Sequence, residues 1–118
     1  MKVLVCGSRD WSWFDAKVIR RELSALPMGS VIIHGACRGV DRMADAIAKD
    51  LGLEVRAYPA KWRTHGKAAG PIRNQQMLDK ECPGLVLAFS YDLSKNKGTA
   101  DMVKRAWSAG IEVKIIGV

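Results

Sequence analysis

The alternation of two kinds of apolar segment along the chain is its tightest constraint on fold. Val3-Leu4-Val5, Val31-Ile32-Ile33 and Leu85-Val86-Leu87 are continuously apolar, as strands covered on both faces are. Between them lie segments of helical period. The sharpest is Arg38–Leu51, where Val40, Met43, Ala44, Ile47, Ala48 and Leu51 recur at helical spacing and form one apolar stripe. The pattern predicts strands at about Lys2–Cys6, Ser30–His34, Glu54–Tyr58, Gly84–Phe89 and Glu112–Ile116. Helices are expected at about Trp13–Ala25, Arg38–Leu51, Pro71–Lys80 and Thr99–Ala109. Ser12 and Asp15 have the spacing of a capping box for the first helix. Pro71 suits the first position of the third, and Gly110 stops the fourth, whose buried side would be Ala100, Val103, Ala106 and Trp107.

Strict strand–helix alternation implies a parallel sheet with helices on both faces, an α/β three-layer domain. The third and fifth strands alternate apolar with charged residues, as in Glu54-Val55-Arg56-Ala57 and Ile111-Glu112-Val113-Lys114. Such alternation belongs at sheet edges, where charge discourages edge pairing. The expected fold is therefore a Rossmann-like five-stranded parallel sheet in the order 3-2-1-4-5, one domain over residues 1–118. The flavodoxin-like order would bury the charged third strand. In the order 3-2-1-4-5 the winding reverses between the first and fourth strands, and ligands bind in the crevice there, outside the carboxyl ends of the strands.

Three glycine-containing loops gather at that end: Gly7-Ser8-Arg9, Gly35-Ala36-Cys37-Arg38-Gly39 and Lys97-Gly98-Thr99. A loop of this kind opening a helix directs unpaired backbone N–H groups at one spot, which suits a phosphate. The net charge of +7 is unevenly spread. No carboxylate lies between Glu54 and Asp79, whereas Arg56, Lys61, Arg63, Lys67 and Arg73 do. A basic segment of this kind attracts phosphates, or serves only as a solvated face. Its irregular part, Pro59–Gly70, has the length of a functional lid or of a disordered segment.

Other classes are excluded. There is no Gly-x-Gly-x-x-Gly after the first strand, and neither Gly-x-x-x-x-Gly-Lys-Ser/Thr, Gly-x-Ser-x-Gly nor His-Glu-x-x-His occurs. Cys6, Cys37 and Cys82 are scattered and odd in number, which indicates reduced thiols with no zinc spacing. No apolar stretch approaches a membrane span, and the N-terminus enters a strand pattern with no signal-peptide cleavage region, so a cytoplasmic location and no membrane partner are expected.

Five motifs occur in order: Gly7-Ser8-Arg9-Asp10-Trp11; His34-Gly35-x-Cys37-x-Gly39-x-Asp41; Tyr58-Pro59-Ala60-x-Trp62; Ala69-Gly70-x-x-Arg73-Asn74-x-x-Met77; and Gly98-Thr99. Together they resemble the SLOG superfamily of Rossmann-like domains, and most closely its small YspA-like, cpYpsA-related branch, common in phage and bacterial genomes. The resemblance implies a pocket for a nucleotide or nucleotide-derived ligand. It is more distant to Lonely Guy-type phosphoribohydrolases, which cleave a base from a nucleoside monophosphate, and to DNA-processing protein A, which binds single-stranded DNA. The hydrolases carry Pro-Gly-Gly-x-Gly-Thr-x-x-Glu at the fourth helix. Here Gly98-Thr99 is kept, Met102 stands in place of the Glu, and Asp101 falls one residue early.

The candidate ligand-binding residues are Gly7, Ser8, Arg9, Asp10, His34, Gly35, Gly39, Asp41, Trp62, Arg73, Asn74, Gly98 and Thr99. Gly98 and Thr99 form the main anion-binding pair, or an ordinary helix cap. Asp10 accepts from a ribose hydroxyl or orients Arg9. His34 contacts ligand or is a structural histidine bonded to a loop carbonyl, and Asp41 contacts ligand or stabilises the second helix. Arg73 suits bidentate phosphate recognition. Trp62 and Trp11 stack on a base or serve as apolar plugs. Cys37 sits near a helix N-terminus but has no evident partner base.

Three functions compete. The first is a sensor or sequestering domain for a nucleotide-like small molecule. The second is an N-glycosidase on nucleoside phosphates: Asp101 and Arg73 are the catalytic candidates, Arg73 holding the phosphate with Gly98 and Thr99 while Asp101 or Asp10 stabilises an oxocarbenium-like transition state. The third is single-stranded nucleic-acid binding through the basic segment, with a steep salt dependence. No protein metal site or cofactor is expected, although magnesium could accompany a phosphorylated ligand. The edge strands and helices leave room for a homodimer that no residue singles out.

Overall fold

In the computed structural model, residues 1–117 are described. Five parallel strands form one sheet: β1 (Lys2–Gly7), β2 (Val31–His34), β3 (Glu54–Ala57), β4 (Leu85–Phe89) and β5 (Glu112–Ile116). Their order is β3-β2-β1-β4-β5. The register sets Leu4 beside Ile33 on one side and Val86 on the other. Val3, Leu4, Val5, Ile32, Ile33, Val86 and Ala88 have no exposed surface, whereas every residue of β3 keeps some. Continuous apolar strands thus take the centre and charge-alternating strands the edges.

Because successive side chains of a strand face opposite ways, the sheet carries two cores. Val3, Val5, Ile32 and Phe89 pack against α1 (Ala16–Ser24) and α2 (Val40–Asp50) through Ile19, Leu23, Ile47 and Ala48. Leu4, Ile33 and Val86 pack on the other side against α4 (Ala69–Glu81) and α5 (Lys97–Ser108) through Met77, Met102 and Ala106. These are the two outer layers.

Three local features differ from the sequence expectation. The Pro59–Gly70 stretch is not wholly irregular: it contains a helical turn, α3 (Trp62–His65), and a 3₁₀ turn over Gly66–Ala68 that runs directly into α4. α4 therefore starts at Ala69, two residues before Pro71. Pro71 still lies in the first turn, where its missing N–H has no intrahelical partner to lose. Ser12 and Asp15 do form a reciprocal capping box, but around the 3₁₀ turn Trp13–Asp15 that precedes α1. Trp107 is 60% exposed rather than core, while Thr99, Met102, Val103 and Ala106 form the buried stripe of α5. Trp107 lies about 80° around the helix from Thr99, at the stripe's margin.

Among the described residues no helix is long and apolar enough to cross a membrane.

Candidate functional site

The carboxyl ends of β1 and β4, where the sheet's winding reverses, open onto a cavity of about 460 Å³. Val5, Cys6 and Met77 supply its apolar lining. Five cationic side chains (Arg9, Arg38, Arg73, Lys95 and Lys97) line it against two carboxylates, Asp10 and Asp41. The balance favours an anionic guest.

The wall after β1 is held by close backbone approach. A Cβ on Gly7 would lie 2.5 Å from the Phe89 carbonyl oxygen and 2.7 Å from Val40, so only glycine fits. Ser8 N–H donates to the Phe89 carbonyl at 3.0 Å, and the Ser8 carbonyl accepts from Val40 N–H at 3.1 Å. The Ser8 hydroxyl accepts from Asp10 N–H at 3.1 Å. Ser8 thus holds the loop and does not line the cavity. Arg9 and Asp10 do line it. Asp10 pairs with Arg38 at 3.5 Å, not with Arg9.

The wall after β2 is tied by Asp41. Its carboxylate Oδ2 accepts from Gly35 N–H at 3.1 Å and Cys37 N–H at 3.2 Å. Burial pushes the Asp41 carboxyl above its ordinary range, opposed by the Cys37 N–H, the charge of Arg73 and the Gly35 N–H. Gly39 holds φ +79°, and a Cβ there would meet the Ser8 carbonyl oxygen at 2.4 Å. It fixes the path of the loop and lies outside the cavity lining. His34 is also withdrawn from the cavity. Its Nδ1 accepts from Ala36 N–H at 2.9 Å, which leaves Nε2 to donate to Asp45 at 2.7 Å. Its partners are a loop N–H and the Asp45 carboxylate, not the loop carbonyl expected of a structural histidine.

From α4, Arg73 and Asn74 reach the cavity. Arg73 is 7% exposed, and its guanidinium donates to the carbonyls of Gly35 and Tyr58 and to Asn74 Oδ1. Among the described residues no carboxylate lies within ion-pairing distance of it. Arg9 and Arg73 each place an Nη2 3.8 Å from the Cys37 sulfur. Cys6 borders the same space, and burial pushes its thiol well above the ordinary range.

The last wall is the start of α5. Asn96 precedes it, but its side chain donates to Ser90 Oγ and the Asp92 carbonyl, both at 2.8 Å, and caps nothing. The first backbone bond into the helix is Ala100 N–H to the Asn96 carbonyl. The N–H groups of Lys97, Gly98 and Thr99 therefore remain open at the cavity, at the positive end of the helix dipole. A Cβ on Gly98 would meet nothing within 4 Å, so packing does not explain this glycine.

Asp101 does not line the cavity: its carboxylate Oδ2 pairs with Arg105 at 2.8 Å and accepts from Asn74 at 3.0 Å. Met102, at the position of the hydrolases' glutamate, is fully buried in the core. Trp11 is an apolar plug, stacked on Tyr91 with centroids 4.7 Å apart and edge-on to Phe89 at 5.8 Å. Lining residues outside the expected set include Arg38, Lys95 and Lys97. Their signal was present, since each stands within or beside a glycine loop. Among the described residues no group of three His, Cys, Asp or Glu could hold a metal ion.

The family model described as "YspA, cpYpsA-related SLOG family" matches residues 1–65. The Gene 61 protein of Mycobacterium phage D29 is 35% identical over 121 residues, covering 95% of this chain and 93% of that protein. Among solved structures, DNA processing protein A (DprA) from Streptococcus pneumoniae superposes with a TM-score of 0.74 at 22% identity. That match covers 97% of this chain and 49% of DprA, so the chain spans about half its length.

Proposed function

The chain belongs to the YspA, cpYpsA-related SLOG family, and from that premise we propose that its cavity binds a nucleotide-derived small molecule through a phosphate, as a sensor or sequestering domain. One observation carries the reading. A buried guanidinium, Arg73, without a carboxylate partner among the described residues, and the uncapped first turn of α5 converge on a single cavity at the switch point of the sheet. The open N–H groups of Lys97, Gly98 and Thr99 receive the phosphate, and Lys95, Lys97 and Arg9 add positive charge around it. Magnesium, where it takes part, is carried on the phosphate oxygens.

Binding without turnover is favoured over N-glycoside hydrolysis by the state of both candidate carboxylates: Asp10, which lines the cavity, pairs with Arg38, and Asp101 stands apart from it. The Asp101 carboxylate is engaged by Arg105 and Asn74 outside the cavity.

Thermal unfolding against nucleoside phosphates, cyclic nucleotides, ADP-ribose derivatives and short single-stranded DNA tests the reading, with mass spectrometry of the recovered ligands. A ligand at 100 times its dissociation constant should add about 2.7 kcal/mol. Stabilisation with the ligand recovered intact supports it, whereas a released base assigns an N-glycosidase instead. Stabilisation by DNA alone moves the function to the exposed Lys61, Arg63 and Lys67, as the name of the structural neighbour also suggests.

A further inference from the structure

Beside the main cavity lies a second recess of about 270 Å³, and the two share Arg9, Gly35, Cys37, Arg38 and Arg73 along a common border. The far wall of the recess is Pro59, Ala60 and Trp62. Among the described residues no carboxylate lines it. Trp62 is half exposed on the short helix α3, and its indole passes over Gly70, where an added Cβ would lie 3.4 Å from the ring. The ring thus lies against the first turn of α4 at a distance that leaves room for ordinary van der Waals contact with a Cβ. A flat aromatic wall faces an arginine-rich border that leads into an anion-binding cavity. We propose that this recess is a base-binding subsite: a purine or pyrimidine ring stacks on Trp62 while the phosphate of the same molecule sits at the start of α5.

The proposal rests on the phosphate-binding reading above and adds the aromatic half of the ligand. Indole stacking supplies affinity with little sequence preference, because every base has a π face. The guanidinium planes of Arg9 and Arg38 at the border suit the same ring edge or the sugar–phosphate link. Cys37, which touches both recesses, marks the crossing point.

Calorimetric titration of AMP, GMP, CMP, UMP and ribose 5-phosphate into the wild-type chain, Trp62→Ala and Trp62→Phe tests it. At least one nucleoside monophosphate should bind the wild type about tenfold more tightly than ribose 5-phosphate. Trp62→Ala should erase that advantage and leave ribose 5-phosphate within about twofold, while Trp62→Phe keeps most of it. A melting curve matching the wild type shows that Trp62→Ala is folded, as expected for a half-exposed side chain. Equal affinity for all five compounds, or an equal loss for all five in Trp62→Ala, overturns the subsite and leaves the phosphate reading standing. Binding of none of the five overturns both. A pentathymidylate that binds more tightly than every mononucleotide overturns the small-ligand assignment.

Discussion

Gly98→Ala separates a ligand-binding glycine from a merely permissive one, because the two roles predict changes of opposite sign. Gly98 is the second residue of α5, and a Cβ there meets nothing within 4 Å. Without a ligand the substitution should stabilise the protein, since alanine loses less backbone entropy than glycine on entering a helix. The gain is about 0.4–1 kcal/mol. For a domain of this size that is roughly 2–4 °C in Tm. A helical Cβ tilts toward the helix N-terminus, which here is the open N–H turn at the cavity. A methyl there competes with a phosphate oxygen, and about a tenfold loss of affinity is expected, or about 1.4 kcal/mol. Thermal unfolding with and without a binding nucleotide measures both effects at once. At a concentration giving the wild type about 2.7 kcal/mol of stabilisation, the variant should keep only about 1.4 kcal/mol. A variant that is more stable when free yet fully stabilised by ligand would show that the phosphate does not sit at the start of α5. A variant destabilised when free would show that the open space around Gly98 has been misjudged.

Arg73→Ala should lower stability by about 2–4 kcal/mol in a urea melt, because it strands the buried carbonyl of Gly35 and the half-buried carbonyl of Tyr58, and it should abolish nucleotide binding. Gly7→Ala should cost about 1–3 kcal/mol by the same assay, since its Cβ would collide with the Phe89 carbonyl and Val40. Glu81 receives the Tyr58 hydroxyl, Lys2 and Arg56, and these partners, the Tyr58 hydrogen bond foremost, hold its carboxyl below the ordinary 4.5 against the effect of burial. Its contribution to stability is thus complete above that value and is lost as pH falls through the lower folded value. Glu81→Gln should flatten the urea midpoint between pH 5 and pH 3, and an unchanged slope would refute the assignment. Trp107→Ala should shift stability by no more than about 0.5 kcal/mol, as its exposure implies.

The sheet order was legible because edge and centre strands differ in pattern: Glu54-Val55-Arg56-Ala57 alternates, and Val31-Ile32-Ile33 does not. The glycine loops likewise mark the cavity's position, since the switch point follows from the order alone. What the chain's one-dimensional pattern could not carry is which side chains turn inward. His34 and Ser8 lie in the right loops but bond backbone N–H groups within them. Asp101 is on the right helix but is drawn to Arg105 one turn on and to Asn74 across on α4. Trp107 sits at the margin of an apolar stripe, where periodicity does not decide between core and solvent. The α3 turn escaped because Trp62–His65 is too short to show a period.

The hydrogen bond from Val40 to the Ser8 carbonyl, with Gly39 pressed against that same oxygen, makes the first two cavity walls a single stapled piece. Any change of shape there must break the fold's own contacts. The opposite bank, Tyr91–Lys97, is largely solvent-facing and is fastened mainly through Asn96, Ser90 and Asp92. Insertions and new side chains along that bank therefore act on the phosphate end of the guest, beside Lys95 and Lys97, while the stapled half keeps its shape.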